Sequence, residues 1–439
     1  MEAQHLAILM FGVLLLGMFS GFPIAFVLLG TGFIFGYVGW GPAVLDQMVS
    51  RTIGIMANDA LVAVPLFVLM GYMMDRSGIA EGLFSSLQLA LGPLRGSIAL
   101  ATVALSTILA ATTGIVGASV TMMGLLTLPV MLKRGYDIPL ATGSIIAGGT
   151  LGVLIPPSIM LILYGPMAGI SIARLFTAAI LPGLVLSGLY MAYISLRCFL
   201  QPHIGPALPK EQRNIPTWQL LSMLLKTLVP PLFLILAVLG SILFGLAAPT
   251  EAAAVGGFGA AILCLAYGKL NWPTLKDVVY MTLSTSAMIL IITVGANVFT
   301  GVFLALGGGT AIENFLLNSA LGPIGILVVI MIMVFILGMF VDWIAILLIL
   351  VPVISPIVKK LGFDPVWFAM LVCVNLQMSY LTPPFAYSIF YLKGVAPPEV
   401  ELKDIMKGVF PFVILQAIGL TLCIVFPEII TWLPKVFYG

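Results

Sequence analysis

The chain has 439 residues, of which 61% are hydrophobic and 8% charged, with a formal net charge of +2 and a mean hydropathy of +1.22. Soluble domains carry about 25% charged residues, so a water-soluble globular fold is excluded, and so is a basic patch that would grip nucleic acid through its phosphates. Apolar runs of helical length recur from end to end where a β-barrel would show short alternating segments, which predicts an all-α polytopic membrane protein.

Residues 5–20 and 22–40 are two apolar runs separated by Gly21 and Pro23, which interrupt a helix and permit a tight reversal. The first run lacks a basic n-region and leads straight into the second, so it predicts a membrane helix and not a signal peptide. A polar segment at 46–59 ends on Asn58 and Asp59, which suit a helix cap ahead of a third span at 62–74. Residues 81–95 are mixed and short, as in an interfacial helix.

From 97 to 132 the chain is apolar, with Thr112, Thr113, Gly114 and Gly117 at its midpoint. Two arms of about 15 residues are too short for a bilayer that needs about 20, which predicts a re-entrant hairpin; one long tilted helix with small packing residues is the alternative. After the polar turn Lys133-Arg134-Gly135-Tyr136-Asp137, residues 138–168 hold a span broken at Gly152 and Pro156-Pro157, since prolines remove donors and end the helix before them. A fifth crossing, 171–196, closes the first half at residue 200, and 201–217 is a polar linker carrying Lys210, Glu211 and Arg213.

Residues 218–439 repeat this punctuation. Pro23 and Gly30 recur as Pro249 and Gly256 at an offset of 226, and Leu91-Gly92-Pro93 recurs as Leu321-Gly322-Pro323 at 230. Pro129, Lys133, Gly135, Asp137, Pro156-Pro157 and Tyr164 recur as Pro356, Lys360, Gly362, Asp364, Pro383-Pro384 and Tyr391, all at 227. The repeat predicts a second hairpin at 324–358 with its tip near Gly338 to Asp342, and a second broken helix at 365–394. Each half then has five crossings and one hairpin, and an odd count inverts the second copy, placing a binding site at the interface of the halves. With the N-terminus outside, ten of the eighteen Lys and Arg residues (76, 95, 133, 134, 197, 210, 213, 226, 269 and 276) fall on cytoplasmic segments, a slight bias.

Hydroxyls, carbonyls freed by glycine or proline, and an occasional carboxylate are hard oxygen donors suited to a small hard cation, of which sodium is the natural one. A first sodium site is expected from Thr112, Thr113, Gly114 and Gly117 facing Thr150, Gly152 and Pro156; a second from Gly338, Val341 and Asp342 facing Ser379, Thr382 and Pro383. An anionic group of a substrate would lie between them, near Ser119, Ser158, Thr382 and Pro384, where half-helix N-termini favour negative charge. Asp342 is the sharpest of these residues, because an ionisable side chain at a hairpin tip within the membrane is costly without a partner. An exposed carboxylate at a hairpin mouth is its plain alternative.

Other polar residues have quieter readings. Glu251 suits a helix-terminal charge, Asn297 and Asn375 suit polar packing, and Gly307-Gly308-Gly309 suits a flexible turn, lacking the Lys-Ser/Thr of a phosphate loop. Cys198, Cys264, Cys373 and Cys423 have no metal-ligand spacing and suit small buried hydrophobes. No catalytic constellation of intramembrane histidines or paired aspartates is present in the sequence, and no cofactor other than the coupling ions is expected. Hairpins ending near the midplane suit alternating access better than a continuous pore.

Taken together, Gly21-Phe22-Pro23, Pro65-Leu66-Phe67 with Gly71, Lys133-Arg134-Gly135-Tyr136-Asp137, Ile155-Pro156-Pro157-Ser158, Pro249-Thr250-Glu251-Ala252-Ala253 and Leu381-Thr382-Pro383-Pro384 resemble the large membrane subunit of the tripartite ATP-independent periplasmic (TRAP) transporters, the DctM-like family. The Ala-Thr-Thr-Gly and Gly-Thr-Leu-Gly wording is similar to a branch labelled for mannitol, chloroaromatic compounds and 2-oxo acids. The resemblance implies sodium-driven uptake of small carboxylates by an elevator movement in a bacterial inner membrane. It also implies two partners, a small four-helix (DctQ-like) membrane subunit and a periplasmic substrate-binding protein. At 439 residues the chain looks like the unfused large subunit. A stand-alone sodium- or proton-coupled carboxylate symporter without a binding protein is the alternative.

Overall fold

The computed structural model describes residues 3–213 and 215–439; Asn214, at the end of the expected linker, lies outside the described residues. Every regular element among them is helical. Helix α1 (Ala3–Phe19) turns through Gly21, at φ 81°, into α2 (Ile24–Trp40). Helices α3 (Ala43–Met56) and α4 (Ala63–Arg76) meet at 57° across the 3₁₀ turn Asp59–Val62. The segment expected to be a polar approach to a span is therefore mostly helix, and the Asn58 side chain caps the turn by accepting from the Ala60 N–H at 3.1 Å. A short α5 (Ile79–Ala90) follows.

Helices α6 (Ser97–Thr113) and α7 (Val116–Lys133) meet at a tip of two residues, Gly114 at φ 59° and the extended Ile115. Helix α8 (Ile138–Thr150) is capped by Asp137, whose carboxylate accepts from the Leu140 N–H at 3.3 Å. It tightens into a 3₁₀ turn, Leu151–Val153, and breaks at the proline pair before α9 (Ile159–Ala168) and the long α10 (Ile172–Leu200). The linker is tied to the base of the first helix pair: Gly96 N–H donates to Gly205 O at 2.8 Å, Asp137 N–H to Ile204 O at 2.9 Å, and the Tyr136 hydroxyl to Pro206 O at 3.1 Å.

The second half runs α11 (Thr217–Leu243), α12 (Pro249–Ala266), the continuous α13 (Trp272–Ala305) and α14 (Gly308–Leu317). Gly308 and Gly309 start α14, so the triple glycine is a helix start and not the flexible turn expected. Glu251 accepts from the Ala248 N–H at 2.8 Å, the helix-terminal role its position suggested. Helices α15 (Pro323–Gly338) and α16 (Trp343–Lys360) flank a tip at 339–342, then α17 (Pro365–Ser379) breaks before α18 (Tyr387–Lys393), and α19 (Leu402–Val425) and α20 (Glu428–Tyr438) close the chain. Pro156-Pro157 and Pro383-Pro384 are both cis.

Among the described residues seven helices are long and apolar enough to cross a membrane, eight if the bent pair α3–α4 counts as one span. The arms flanking the two tips are 16 to 18 residues, longer than the 15 expected. At 1.5 Å per residue an 18-residue arm is about 27 Å long, so arm length alone does not set the depth of a tip.

The helices pack in two groups. One comprises α1–α5 and α11–α14, knit by α4 on α12 and α2 on α13; the other comprises α6–α10 and α15–α20, knit by α8 on α19, α9 on α16 and α7 on α18. Helices α8 and α19 approach so closely that a Cβ added at Gly143 would meet the Gly408 carbonyl, and one added at Gly408 would meet that of Pro139. Only glycine permits such a crossing.

Candidate substrate cavity between two helix tips

Both tips, the start of α9, the break after α17 and the face of α13 surround one cavity of about 80 Å³. The first tip contributes Gly114, Ile115, Val116 and Gly117; the second contributes Asp342, Trp343 and Ile344. Helix α13 supplies Thr285, Met288 and Ile289, and the second break and α18 supply Tyr380, Tyr387, Ser388 and Tyr391. Glycine at 117 has a steric reason: a Cβ there would lie 3.0 Å from the Tyr391 ring. Across the cavity wall, the Tyr72 hydroxyl on α4 and the Thr285 hydroxyl are 2.9 Å apart.

Two polar groups in this lining are unusual. Tyr380 is 3% exposed and Ser388 is fully buried, yet neither hydroxyl has a hydrogen-bond partner among the described residues. Leaving a buried hydroxyl unpaired costs about 1–3 kcal/mol, so such groups mark places where structure has been kept for something other than stability.

Asp342 lines the cavity, and its carboxylate also accepts from the Ile344 N–H at 3.0 Å, making it the N-cap of α16. It is half-buried rather than a freely exposed mouth carboxylate, and the group that meets its carboxylate is a backbone N–H. The rest of the second expected ion site is partly gathered. Gly338 and Ser379 touch, since a Cβ at Gly338 would lie 2.5 Å from the Ser379 side chain, and the tip carbonyl of Met339 accepts from the Phe385 N–H at 3.3 Å. Val341 is buried, whereas Thr382 is half-buried with its hydroxyl bonded to Met378 O at 3.0 Å, and Pro383 and Pro384 are exposed.

In the first expected ion site α6 packs on the 3₁₀ turn that holds Gly152. Thr112 and Thr150 are buried, with hydroxyls donating to Leu109 O at 2.8 Å and Ala147 O at 2.9 Å; Pro156 is buried, and the Thr113 side chain lies outside the described set. Thr150 also accepts from the Gln377 amide at 3.2 Å. Of the residues expected near the substrate, Ser119 donates to Ile115 O at 3.0 Å and Ser158 donates to the Val153 carbonyl; neither these two nor Thr382 and Pro384 line the cavity. Asn375 packs as expected, donating to Met331 O at 2.6 Å, and Asn297 instead meets Arg51 of α3 at 3.5 Å.

A helical membrane body in which two tips and a helix break enclose a small cavity, mostly apolar with a few polar groups, has the form of a transport protein. The family model for the "Tripartite ATP-independent periplasmic transporter, DctM component" matches residues 8–429, and the chain belongs to that family as a large permease subunit. It is similar to the isethionate TRAP transporter permease protein DctMQ of Oleidesulfovibrio alaskensis, 32% identical over 98% of this chain, which spans 66% of that protein. It is also similar to the sialic acid large permease protein SiaM of Vibrio cholerae, 29% identical over 98% of this chain and 97% of that one. The solved YdaH transporter of Alcanivorax borkumensis shares the fold, with a TM-score of 0.62 at 15% identity and 99% of each chain covered.

Proposed function

We propose that this permease takes up small organic acids, driven by sodium, with the second helix group moving against the first as an elevator. The observation that carries this reading is the cavity: its walls come from both tips of the moving group and from α13 of the other group, so a ligand held there sits on the sliding surface. The acid class is supported by relatives named for sialic acid, 2,3-diketo-L-gulonate and C4-dicarboxylates. Sodium is supported by the hydroxyls and tip carbonyls between each tip and its adjoining break, oxygen donors without a thiolate or imidazole among them.

The inverted repeat is part of the proposal. Thr150 and Gln377 are equivalent at the offset of 227 and touch each other, as residues on a two-fold axis do. Reciprocal packing supports it too: α2 on α13 pairs with α12 on α4, and α7 on α18 with α16 on α9. With the N-terminus periplasmic, the helix order also brings Lys393, Lys403 and Lys407, which the sequence count leaves outside, to the cytoplasmic face, strengthening the positive-inside asymmetry. On this reading both tips are re-entrant, and the chain works in the inner membrane with a DctQ-like small subunit and a periplasmic binding protein.

The test is uptake of radiolabelled carboxylates into proteoliposomes holding this chain and its small partner, with and without the binding protein and an inward sodium gradient. Uptake that needs both supports the tripartite reading. Uptake by this chain alone removes the partners, and uptake indifferent to sodium removes the coupling ion.

A further inference from the structure

We infer that the cavity recognises a small monocarboxylate through the Tyr380 and Ser388 hydroxyls, an assignment that rests on the organic-acid uptake proposed above. The two residues come from opposite sides of the second break, Tyr380 following α17 and Ser388 in the first turn of α18, and both are in the lining of the same cavity, with their hydroxyls buried in its wall. Both are buried and unpartnered among the described residues. A carboxylate oxygen supplies the acceptor that each lacks, and hydrogen bonds to an ionised acceptor are the strong ones.

The remaining lining narrows the ligand further. No Lys, Arg or His is among the described residues of the wall, so nothing there forms an ion pair with a second acid group. Asp342 on the same wall repels each acid group held there, so a second one adds to a repulsion that the two hydroxyls must already offset for the first. A cavity of about 80 Å³ is also well below the roughly 300 Å³ at which ordinary ligand pockets begin. Trp343, Met288 and Ile159 offer apolar contact to a short organic body. Because both hydroxyls belong to the second helix group, the ligand would travel with it.

The experiment is thermal unfolding of the purified full-length chain in sodium-containing detergent solution, titrated with pyruvate or succinate, for wild type, Tyr380→Phe and Ser388→Ala. The expected result is protection of the wild type by pyruvate more than by succinate. Both variants should be at least as stable as wild type without ligand and should need about tenfold more pyruvate for the same protection, the loss of one charge-assisted hydrogen bond. Equal pyruvate protection of all three proteins overturns the hydroxyl pair and leaves the acid class standing. Variants that melt lower without ligand overturn it too, because the hydroxyls then have protein partners. Loss of protection by sodium, with the pyruvate response intact, assigns the pair to the cation and overturns the inference. Failure of both acids to protect the wild type overturns the carboxylate class, and this assignment with it.

Discussion

Replacing Gly338 by alanine tests whether the end of α15 and the end of α17 form one tight joint beside the second expected ion site. The new Cβ would lie 2.5 Å from both Cβ and Oγ of Ser379 and 3.4 Å from Leu376 Cδ2. Carbon atoms rest at about 3.5–4.0 Å, so the two helix ends must separate by about 1 Å. Overpacking of this kind costs about 1–3 kcal/mol. Gly338 is the last residue of α15, so the gain in helix propensity recovers less than the roughly 1 kcal/mol of an interior position. A net loss of about 1–2 kcal/mol is expected, read as a lower midpoint of thermal unfolding, with a severalfold rise in the sodium concentration that half-activates uptake. Ser379→Gly should relieve it in the double variant, because Ser379 bonds only within its own helix, to Asn375 O at 3.1 Å. A Gly338→Ala protein with unchanged melting and unchanged sodium activation would refute the reasoning.

Three further expectations follow from other parts of the molecule. Asp342→Ala removes the N-cap of α16 and should cost about 1 kcal/mol, whereas Asp342→Asn keeps the cap acceptor; if the charge serves sodium, both raise the sodium requirement while only the alanine lowers stability, as melting curves and sodium titrations of uptake would separate. Thr150→Val leaves the buried Gln377 amide without its acceptor and should cost about 1–3 kcal/mol; pairing it with Gln377→Met should cost less than the sum of the single changes, and strict additivity in unfolding measurements would mean the two side chains are not coupled. The Phe437 ring of α20 is 5.8 Å from that of Phe244 after α11, and the Tyr438 hydroxyl reaches Leu243 O at 3.4 Å, so the C-terminal helix touches the opposite helix group. Cysteines at 244 and 437, cross-linked by a short bifunctional thiol reagent with the four native cysteines buried, should stop uptake, and undiminished uptake by the linked protein would count against the elevator.

Much of the helix order was legible because glycine, proline and capping aspartates punctuate it. Asp137 and Asp364 cap α8 and α17 at equivalent positions, and the turns at Gly21, Gly135 and Gly362 all take positive φ. Between α3 and α4 the break was legible from the Asn58 cap, whereas the helix before it and the 57° bend were not, since Ala57 and Asn58 are neither proline nor glycine. The candidate site was half legible. The first tip was found through its small residues, the second through the repeat, and Asp342 through its charge. Side-chain direction was not encoded: Ser119, Ser158 and Thr382 satisfy their hydroxyls on nearby carbonyls, as helix-borne hydroxyls commonly do. Tyr380, Tyr387, Tyr391 and Trp343 were not read as cavity residues, because an aromatic residue in an apolar run has the same sequence signature whether it packs or lines a cavity. Only the absence of a partner for Tyr380 and Ser388 distinguishes them, and that requires coordinates.

On the proposed repeat, the two halves differ in stiffness at one matched pair of elements. Where the first half has the jointed pair α3–α4, the second has α13, an unbroken rod of 34 residues, about 51 Å long against a hydrocarbon layer of about 30 Å. Such a rod either lies steeply oblique or protrudes, and it has no internal proline at which to flex except Pro273 in its first turn. Its middle forms the cavity wall at Thr285 to Ile289, and its C-terminal end holds the second tip's supporting helix, the Thr300 hydroxyl donating to Leu348 O at 3.0 Å. If the proposed elevator movement holds, compliance would be concentrated at residues 57–58 in one half, while in the other the stiff α13 would set the line along which the helices packed on it travel.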